Sequence, residues 1–443
     1  MRKTTSGRSY RTFYSFLAAI LLLGWLNPQA VQATPAAPTI HAQAAAVIDV
    51  TSGRLLYNLR GDETLPIASL TKIMTAIVAI EHGKLSDTVT VGRNAFAKEG
   101  SSIYLHMGEE MSLENMLYGL MLRSGNDAAT AIAEHVGGSE EGFVYLMNEK
   151  AKMLGLMHTH FQNPHGLDAK GHYSTANDLA KLTSYALKNQ QFKEIVRTPS
   201  KTAPNPNDPW DYKWLNKNKM LRFYDGADGV KTGYTKIAKR CLVSSATRGG
   251  QQIAVVTLND GDDWNDHRKL LDYGFANYPL TTLIGEGQEI EQGLITGAEF
   301  KYALATEEAS HIERRLKLTT ARTGSFGYRG KISVLLNGEE IGTVPVYDKI
   351  SYRPSGSGEG SEPRAGGAFG SASDRKLIRL PSDWSGAFKK VLQSLRLTFD
   401  SRGSRTGLWR GKDGQQNMAC AHFDRFFVRC DQRGYRHCDT SSV

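Results

Sequence analysis

The feature that most constrains the fold is the placement of strand-like segments at both ends of a long helical region. Near the N-terminus, "AAAVIDV" and "RLLYNLR" are separated by "TSG", which predicts a hairpin with a glycine-containing turn. Beyond residue 228, "GVKTGYT", "CLVSSAT" and "QQIAVVTL" predict further antiparallel strands. Because helical patterns fill the chain between these two sets, we expect an α/β domain over about residues 45–278 whose sheet joins both ends.

The bulk composition limits the class of protein. A length of 443 residues is too large for one ordinary core and predicts two or three domains. The chain is 40% hydrophobic and 22% charged, which is typical of a globular protein and not of a disordered one. The net charge of +9 permits attraction to acidic lipids or cell-wall polymers. The sequence contains no motif of a nucleic-acid-binding module, so we expect no nucleic-acid partner.

The first residues have the pattern of an export signal. Several basic residues precede the apolar run "FLAAILLLGWL" at residues 16–26, and Val31 and Ala33 fit the small-residue positions of a signal-peptidase site. This pattern predicts a signal peptide over residues 1–33, with the mature chain starting near Thr34. The alternative is a retained membrane anchor, but the apolar run is shorter than the ~20 residues that span a bilayer.

The α/β domain is followed by a predicted β domain and then by a predicted linker. In residues 279–352, short alternating runs such as "KISVLL" and "IGTVPVY" flank "NGEE", which predicts a small all-β domain. Residues 353–381 are rich in glycine and serine, which is typical of a flexible linker.

The C-terminal segments carry a possible anchor and an unexplained tail. Residues 382–399 contain basic residues on one side of a helical pattern and an apolar face on the other, formed by Trp384, Phe388, Val391, Leu392 and Leu395. This pattern favours an amphipathic helix at a membrane surface, the alternative being a docking or core helix. Residues 400–443 hold three of the four cysteines and two histidines, but their spacing matches no standard zinc pattern. We therefore expect an unstructured tail and no metal site.

The segment "PIASLTKIMTAIVAIEHG" carries the first candidate for catalysis. Its second half predicts an amphipathic helix that ends near Gly83. Ser69 and Lys72 lie three residues apart in the first turn, where their side chains should meet. A serine hydroxyl is a poor nucleophile unless a base lies within hydrogen-bonding reach. Lys72 can be that base if burial and a second cation, Lys231, disfavour its protonated form.

Two further motifs follow in order. "SGN" at residues 124–126 interrupts a helical region at a tight turn, which would point both polar side chains outward. Ser124 can then relay a proton from Lys72 to a leaving amine. Asn126 can hold Lys72 and a substrate amide. "KTG" at residues 231–233 lies on a predicted strand, where Lys231 and Thr232 can bind a carboxylate. Gly233 permits the strand backbone to approach the substrate closely.

The backbone N–H groups of Ser69 and Tyr234 are candidate donors to the oxyanion of a tetrahedral intermediate. Ser69 lies at the start of a predicted helix, and Tyr234 follows the strand motif directly. Ser-x-x-Lys, Ser-x-Asn and Lys-Thr-Gly in this order are the signature of penicillin-binding proteins and class A β-lactamases. Each motif is weak alone, whereas three in order on helix, turn and strand form a strong signal.

The sequence resembles the D-alanyl-D-alanine carboxypeptidases, which are low-molecular-mass penicillin-binding proteins. The segments "PIASLTKIMTA", "LMLRSGNDAA", "NPHGLDAKGHYSTANDLA" and "DGVKTGYT" carry this resemblance over about residues 45–351. It implies a β-lactamase/transpeptidase-like catalytic domain at residues 34–278, followed by the small β domain. Lys239 and Arg240 depart from the small or aromatic residues common there in the family, which leaves the substrate preference open.

The resemblance also implies the reaction and the location. The enzyme would remove the terminal D-alanine from peptidoglycan stem pentapeptides through an ester on Ser69, with Lys72 as the base and no cofactor or metal. β-Lactams would acylate the same serine. The protein would work at the outer face of the cytoplasmic membrane, held there by the C-terminal amphipathic helix.

Three alternatives remain open on the sequence alone. A class A β-lactamase adds a glutamate between the second and third motifs, but no glutamate occurs between residues 150 and 193. The loop there carries His165, Asp168 and His172 instead, and we expect the histidines to support the loop. A transpeptidase or endopeptidase would use the same groups with a different acceptor or bond. A catalytically silent wall-binding module would have no need of the intact motifs.

Overall fold

The computed structural model describes residues 35–291, 293–319 and 327–350. The predicted signal peptide, Gly/Ser-rich linker, amphipathic helix and C-terminal tail lie outside the described residues. Within the described part of the chain, no helix combines the length and apolar character needed to cross a bilayer.

The main domain has the strands of its five-stranded sheet at the two ends of its sequence. Between them lie most of the helices and two short strand pairs. The strands of the first part are β1 (Ala44–Asp49), β2 (Leu55–Leu59), β3 (Thr88–Thr90), β4 (Glu110–Ser112), β5 (Ser200–Ala203), β6 (Tyr212–Leu215), β7 (Ala227–Thr235), β8 (Lys239–Arg248) and β9 (Gln251–Leu258). The two short pairs are β3–β4 and β5–β6. The helices are α1 (Lys72–His82), α2 (Leu113–Tyr118), α3 (Asn126–Gly137), α4 (Glu140–Met153), α5 (Ala176–Ala186), α6 (Gln190–Arg197), α7 (Met220–Phe223) and α8 (Asp263–Asn277).

The main sheet is antiparallel and has the strand order β2-β1-β9-β8-β7. The predicted hairpins β1–β2 and β8–β9 are confirmed, and β1 pairs with β9, so the sheet joins the two ends of the domain as expected. This arrangement leaves β7, which carries the KTG motif, at one edge of the sheet. An edge strand keeps one row of backbone groups free for a ligand.

Both faces of the sheet are buried, and β1 shows why. Its side chains alternate between two apolar cores because successive residues of a strand point to opposite faces. Ala44, Ala46 and Ile48 belong to the core shared with α1, α3 and α5, while Ala45 and Val47 pack in the core beneath α8. Helices therefore cover the sheet on both sides, and α1 is completely embedded along its apolar side.

A second sheet follows the α/β domain. The strands of this region are β10 (Leu280–Ile284), β11 (Glu289–Glu291), β12 (Leu294–Thr296), β13 (Phe300–Ala303), β14 (Ile312–Leu318), β15 (Tyr328–Leu336) and β16 (Glu339–Asp348). Of these, β10 and β13 form a separate two-stranded sheet. The order β11-β12-β16-β15-β14 includes the hairpin predicted around "NGEE". This sheet has its own apolar core, which contains Val334, Val344 and Val346.

Arg54, in the β1–β2 turn, ties the second sheet region to the first. Its guanidinium makes a two-pronged contact with Glu308 at 2.7 and 2.6 Å and lies over the rings of Tyr278 and Tyr302. Two parallel N–H···O bonds fix the orientation of both partners as well as binding them. The link helps to hold the β-rich region against the domain that carries the three motifs.

Candidate active site

Ser69 lies in a short 3₁₀ turn, Ala68–Thr71, that leads directly into α1. We expected Ser69 inside the first turn of the α-helix, but the α-helix begins at Lys72. Ala68 has φ +48°, a left-handed conformation that L-residues rarely adopt. The turn is thus sharply bent just before the serine, which is half-buried with its hydroxyl facing Lys72.

Lys72 is fully buried and its amine has three oxygen partners. The Nζ atom lies 3.2 Å from Ser69 Oγ, 2.6 Å from Asn126 Oδ1 and 2.5 Å from the backbone oxygen of His165. Burial lowers the pKa of Lys72 well below its ordinary value, and the nearby cations Lys231 and Lys217 lower it further. This environment favours the neutral form of the amine, which lies within hydrogen-bonding distance of the Ser69 hydroxyl.

The SGN motif forms a tight turn between a π-helical segment, Gly119–Arg123, and α3. Ser124 is buried and has φ +67°, a left-handed conformation that turns the chain. Asn126 donates its side-chain amide to Glu99 O at 2.7 Å, which fixes its Oδ1 toward Lys72. The predicted contact between Asn126 and Lys72 is thus present in the structure.

Lys231 is buried on β7, and burial lowers its pKa to about 7, with Lys217 adding to the effect. Its ammonium contacts the backbone oxygen of Thr232 at 2.7 Å. A Cβ atom on Gly233 would lie 3.2 Å from the backbone nitrogen of Ser69, so the bare glycine lets β7 pack against the serine turn. The KTG strand and Ser69 therefore lie side by side.

Two groups that surround the motif lysines were not predicted from the sequence. One is the backbone oxygen of His165, which gives no sequence signal because every residue has one. The other is Lys217, whose amine lies 3.2 Å from Ser101 Oγ. Burial lowers the pKa of Lys217 as well. Its charge lowers the pKa of both Lys72 and Lys231, although Lys217 lies outside every motif.

Arg240, which departs from the family pattern, pairs with Asp263 on α8.

His172 attaches the loop at residues 161–173 to the serine turn. Its Nδ1 accepts the N–H of Gln162 at 3.0 Å, so Nε2 carries the proton and donates to Thr71 Oγ1 at 2.7 Å. Thr71 in turn donates to the backbone oxygen of Ala68. Burial lowers the pKa of His172 to about 4, so the ring is neutral at pH 7. These contacts fit the structural role expected for this histidine.

Acid should destabilise the protein through His172. The pKa of a histidine is near 6.5 when unperturbed and about 4 for His172 in the fold, so below pH 6.5 the unfolded chain binds a proton that the folded chain does not. The free energy of unfolding should fall by up to about 1.4 kcal/mol per pH unit from this group between those values. Urea denaturation between pH 7 and 4.5 measures the slope, and His172→Gln should flatten it. An identical slope in the variant would contradict the assignment.

Among the described residues, one group has the composition of a possible metal site. Ligand atoms of His41, Asp262 and Asp266 lie within 4.8 Å of one another. The Asp266 carboxylate already accepts the Lys269 ammonium at 2.9 Å and the backbone N–H of His41 at 2.5 Å. Because these donors already occupy both of its oxygens, we assign no metal to the group.

Comparison with known proteins agrees with this geometry. Residues 31–262 match the family model described as D-alanyl-D-alanine carboxypeptidase. The chain is 33% identical over 339 residues to D-alanyl-D-alanine carboxypeptidase DacF of Bacillus subtilis, covering 71% of this chain and 87% of that protein.

Two solved structures extend the comparison to the fold. Penicillin-binding protein 5 from Haemophilus influenzae is similar with a TM-score of 0.60 and 27% identity, covering 71% of this chain and 98% of that one. A mutant of the streptomyces K15 DD-transpeptidase gives a TM-score of 0.52 and 35% identity, covering 54% of this chain and all of that one. On the strength of the matched family model and these relatives, the chain belongs to the D-alanyl-D-alanine carboxypeptidase family.

Proposed function

We propose that the protein removes the terminal D-alanine from peptidoglycan stem pentapeptides by acyl transfer to Ser69. The observation that carries this proposal is the fully buried Lys72, whose amine lies 3.2 Å from the Ser69 hydroxyl and whose pKa is strongly lowered. A nucleophile and a neutral base at this distance form the minimum unit for serine acyl transfer. The family membership supports the same substrate class.

The partners of Lys72 direct its lone pair. A neutral amine has two N–H bonds and one lone pair. Asn126 Oδ1 and the backbone oxygen of His165 can only accept hydrogen bonds, so they take both N–H bonds. The lone pair then faces Ser69 Oγ and can accept its proton. Two fixed acceptors thus orient the base before substrate binds.

The reaction steps follow from this arrangement. Ser69 Oγ bonds to the carbonyl carbon of the penultimate D-alanine while its proton passes to Lys72. Ser124 relays that proton to the nitrogen of the terminal D-alanine, and the C–N bond breaks. Water then hydrolyses the ester and regenerates Ser69. The N–H groups of Ser69 and Tyr234 stabilise the oxyanion of each tetrahedral intermediate.

The substrate carboxylate binds at Lys231 and Thr232 in this proposal. Because the pKa of Lys231 is about 7 in the free protein, part of the population is neutral at physiological pH. A bound carboxylate favours the charged form and therefore raises that pKa. Gly233 keeps the strand close enough to Ser69 for the carboxylate and the scissile bond to be held together.

β-Lactams acylate Ser69 in the same way, because their strained amide resembles the scissile bond. The loop at residues 161–173 contains no glutamate to activate water for rapid hydrolysis of the penicilloyl ester. We therefore expect a long-lived covalent complex rather than β-lactamase turnover.

A second candidate function is DD-transpeptidation. It is favoured by the likeness to a structure named as a DD-transpeptidase, which this chain covers completely. The same acyl-enzyme would form, and an amine would replace water as the acceptor. Endopeptidase activity on cross-linked peptides would also use the same groups.

The location and domain boundaries belong to the proposal as well. Residues 1–33 act as an export signal, residues 34–278 and 279–352 form the catalytic and β domains, and residues 382–399 attach the protein to the outer face of the cytoplasmic membrane. The export pattern and the amphipathic helical face support this arrangement. Membrane sedimentation of a form lacking residues 382–443 tests the anchor.

Product analysis tests the function directly. The purified protein is given a stem pentapeptide with and without an amine acceptor, and free D-alanine and cross-linked product are quantified. We expect stoichiometric D-alanine with little cross-linked product, and no D-alanine from Ser69→Ala. Predominant cross-linking would favour the transpeptidase, and D-alanine release by Ser69→Ala would contradict the proposed nucleophile.

A further inference from the structure

His165 contributes its backbone oxygen to the base, and its ring is held at both nitrogens. Nδ1 lies 3.2 Å from the N–H of Leu167 and accepts that bond. The proton of the neutral ring therefore lies on Nε2, which faces Glu140 Oε1 at 3.4 Å. Burial lowers the pKa of His165, so the ring is neutral at pH 7. A ring fixed at two points also fixes the peptide unit whose oxygen contacts Lys72.

Glu140 comes from a different part of the chain than the loop it holds. It is the first residue of α4, directly after the cap residue Ser139, where the helix dipole favours a carboxylate. Its second oxygen lies 3.2 Å from the Lys98 ammonium. The hydrogen bond from His165 lowers the pKa of Glu140, and the charge of Lys98 adds to this effect. The carboxylate is thus ionised and oriented by one partner on each oxygen.

A continuous set of contacts runs from this helix to the base. Glu140 holds the His165 ring, the ring fixes the His165 peptide unit, and the oxygen of that unit accepts an N–H of Lys72 at 2.5 Å. That acceptor is one of the two that direct the lone pair of Lys72 toward Ser69. The position of the carboxylate should therefore influence the rate at which Lys72 takes the serine proton.

We propose that Glu140 is a positioning residue for the catalytic base, acting through the His165 ring and its backbone oxygen. This inference rests on the proposed roles of Ser69 and Lys72. It requires an acceptor oxygen at the position of Glu140 Oε1, and it does not require the negative charge. Glutamine can present its amide oxygen to His165 without charge. Its NH₂ group then faces the Lys98 ammonium, and the flexible lysine side chain must turn away. Aspartate keeps the charge on a shorter side chain.

The pair Glu140→Gln and Glu140→Asp separates position from charge. We expect Glu140→Asp to lower the rate of penicillin acylation and the kcat for D-alanine release about tenfold with little change in KM, because misplacement of a catalytic group slows the chemical step. Glu140→Gln should retain the wild-type rate within about twofold. The exposed neighbour Glu141 provides the matched control, since Glu141→Gln removes a first-turn carboxylate of the same helix.

The outcomes discriminate clearly. Wild-type kinetics in Glu140→Asp would overturn the inference, because the position of the carboxylate would then not matter. Equal losses in the Gln and Asp variants would also overturn it, because an acceptor oxygen kept at the position of Glu140 Oε1 would then not be sufficient. A raised KM at unchanged kcat would also overturn it. Thermal unfolding of each variant identifies losses due to folding, and Ser69→Ala in the same assay separates a failure of this inference from a failure of the proposed function.

Discussion

Replacing Lys72 by methionine should lower the rate of acylation by penicillin about 10²–10⁴-fold, the usual contribution of a positioned general base. Methionine has a similar length and suits a fully buried site, so the fold should tolerate it. At a saturating β-lactam concentration, where the bound carboxylate keeps Lys231 charged, the wild-type rate should rise with pH as the Lys72 amine loses its proton. It should then level off above the pKa of Lys72. Because that pKa is strongly lowered, the plateau should begin far below the pH at which a free lysine titrates.

Stopped-flow measurement with a chromogenic or fluorescent β-lactam over pH 5 to 10 provides both quantities. The variant should lose the pH-dependent limb along with its rate, since the titrating base is gone. Lys188→Met, at an exposed position, is the control and should acylate like the wild type. A variant at Lys72 with undiminished acylation would assign the base to another group.

Replacing Gly166 by alanine should damage both stability and catalysis. Gly166 has φ +82°, and a Cβ atom there would lie 2.0 Å from the backbone oxygen of Ala68, the residue before Ser69. The left-handed conformation alone costs about 1–2 kcal/mol for a non-glycine residue. Relief of the clash must also move either the loop or the serine turn. A shift of the order of 1 Å at Ser69 would slow acylation about a hundredfold.

Gly171 is a matched control in the same loop. It has φ +84°, but its nearest neighbour for a Cβ atom is the flexible end of the Gln162 side chain at 3.2 Å. Gly171→Ala should therefore show only the conformational loss in urea denaturation and should keep a near-normal acylation rate. Equal acylation rates in both variants would mean that Gly166 does not set the position of the serine turn.

Much of the fold was predictable because its elements carry strong local patterns. The hairpins β1–β2 and β8–β9 follow from apolar runs around short glycine-containing turns, and both are confirmed. The helix after Ser69 ends before Gly83 as predicted. The N-cap of α5 is Thr175, a residue type that helix N-termini prefer, and its hydroxyl accepts the Asp178 N–H.

The central part of the site was also predictable, because each motif combines residue types that have a chemical reason to occur together. Ser69, Lys72 and Asn126 meet as the motif spacing indicated, and the KTG strand packs beside the serine turn. Their roles in catalysis remain a proposal. Only the local geometry at Ser69 differs, since a 3₁₀ turn precedes the α-helix.

What the sequence could not predict depends on backbone atoms and on tertiary placement. The His165 oxygen contacts Lys72, yet a carbonyl is common to every residue and leaves no compositional trace. Glu140 occupies an ordinary helix N-terminus, and only the packing of α4 beside the loop brings it to His165. Lys217 becomes the neighbour of two buried lysines only when the chain folds.

The central claim is that the Ser69 hydroxyl, next to the Lys72 amine, is the group that reacts. Mass mapping of the covalent penicillin complex tests this claim most directly. The protein is incubated with benzylpenicillin, trapped at acid pH and digested, and the adduct is located by tandem mass spectrometry. A single adduct on the Ser69 oxygen, absent from folded Ser69→Ala, is the predicted result. An adduct on another residue, or a folded wild-type protein that acquires none, would contradict the account.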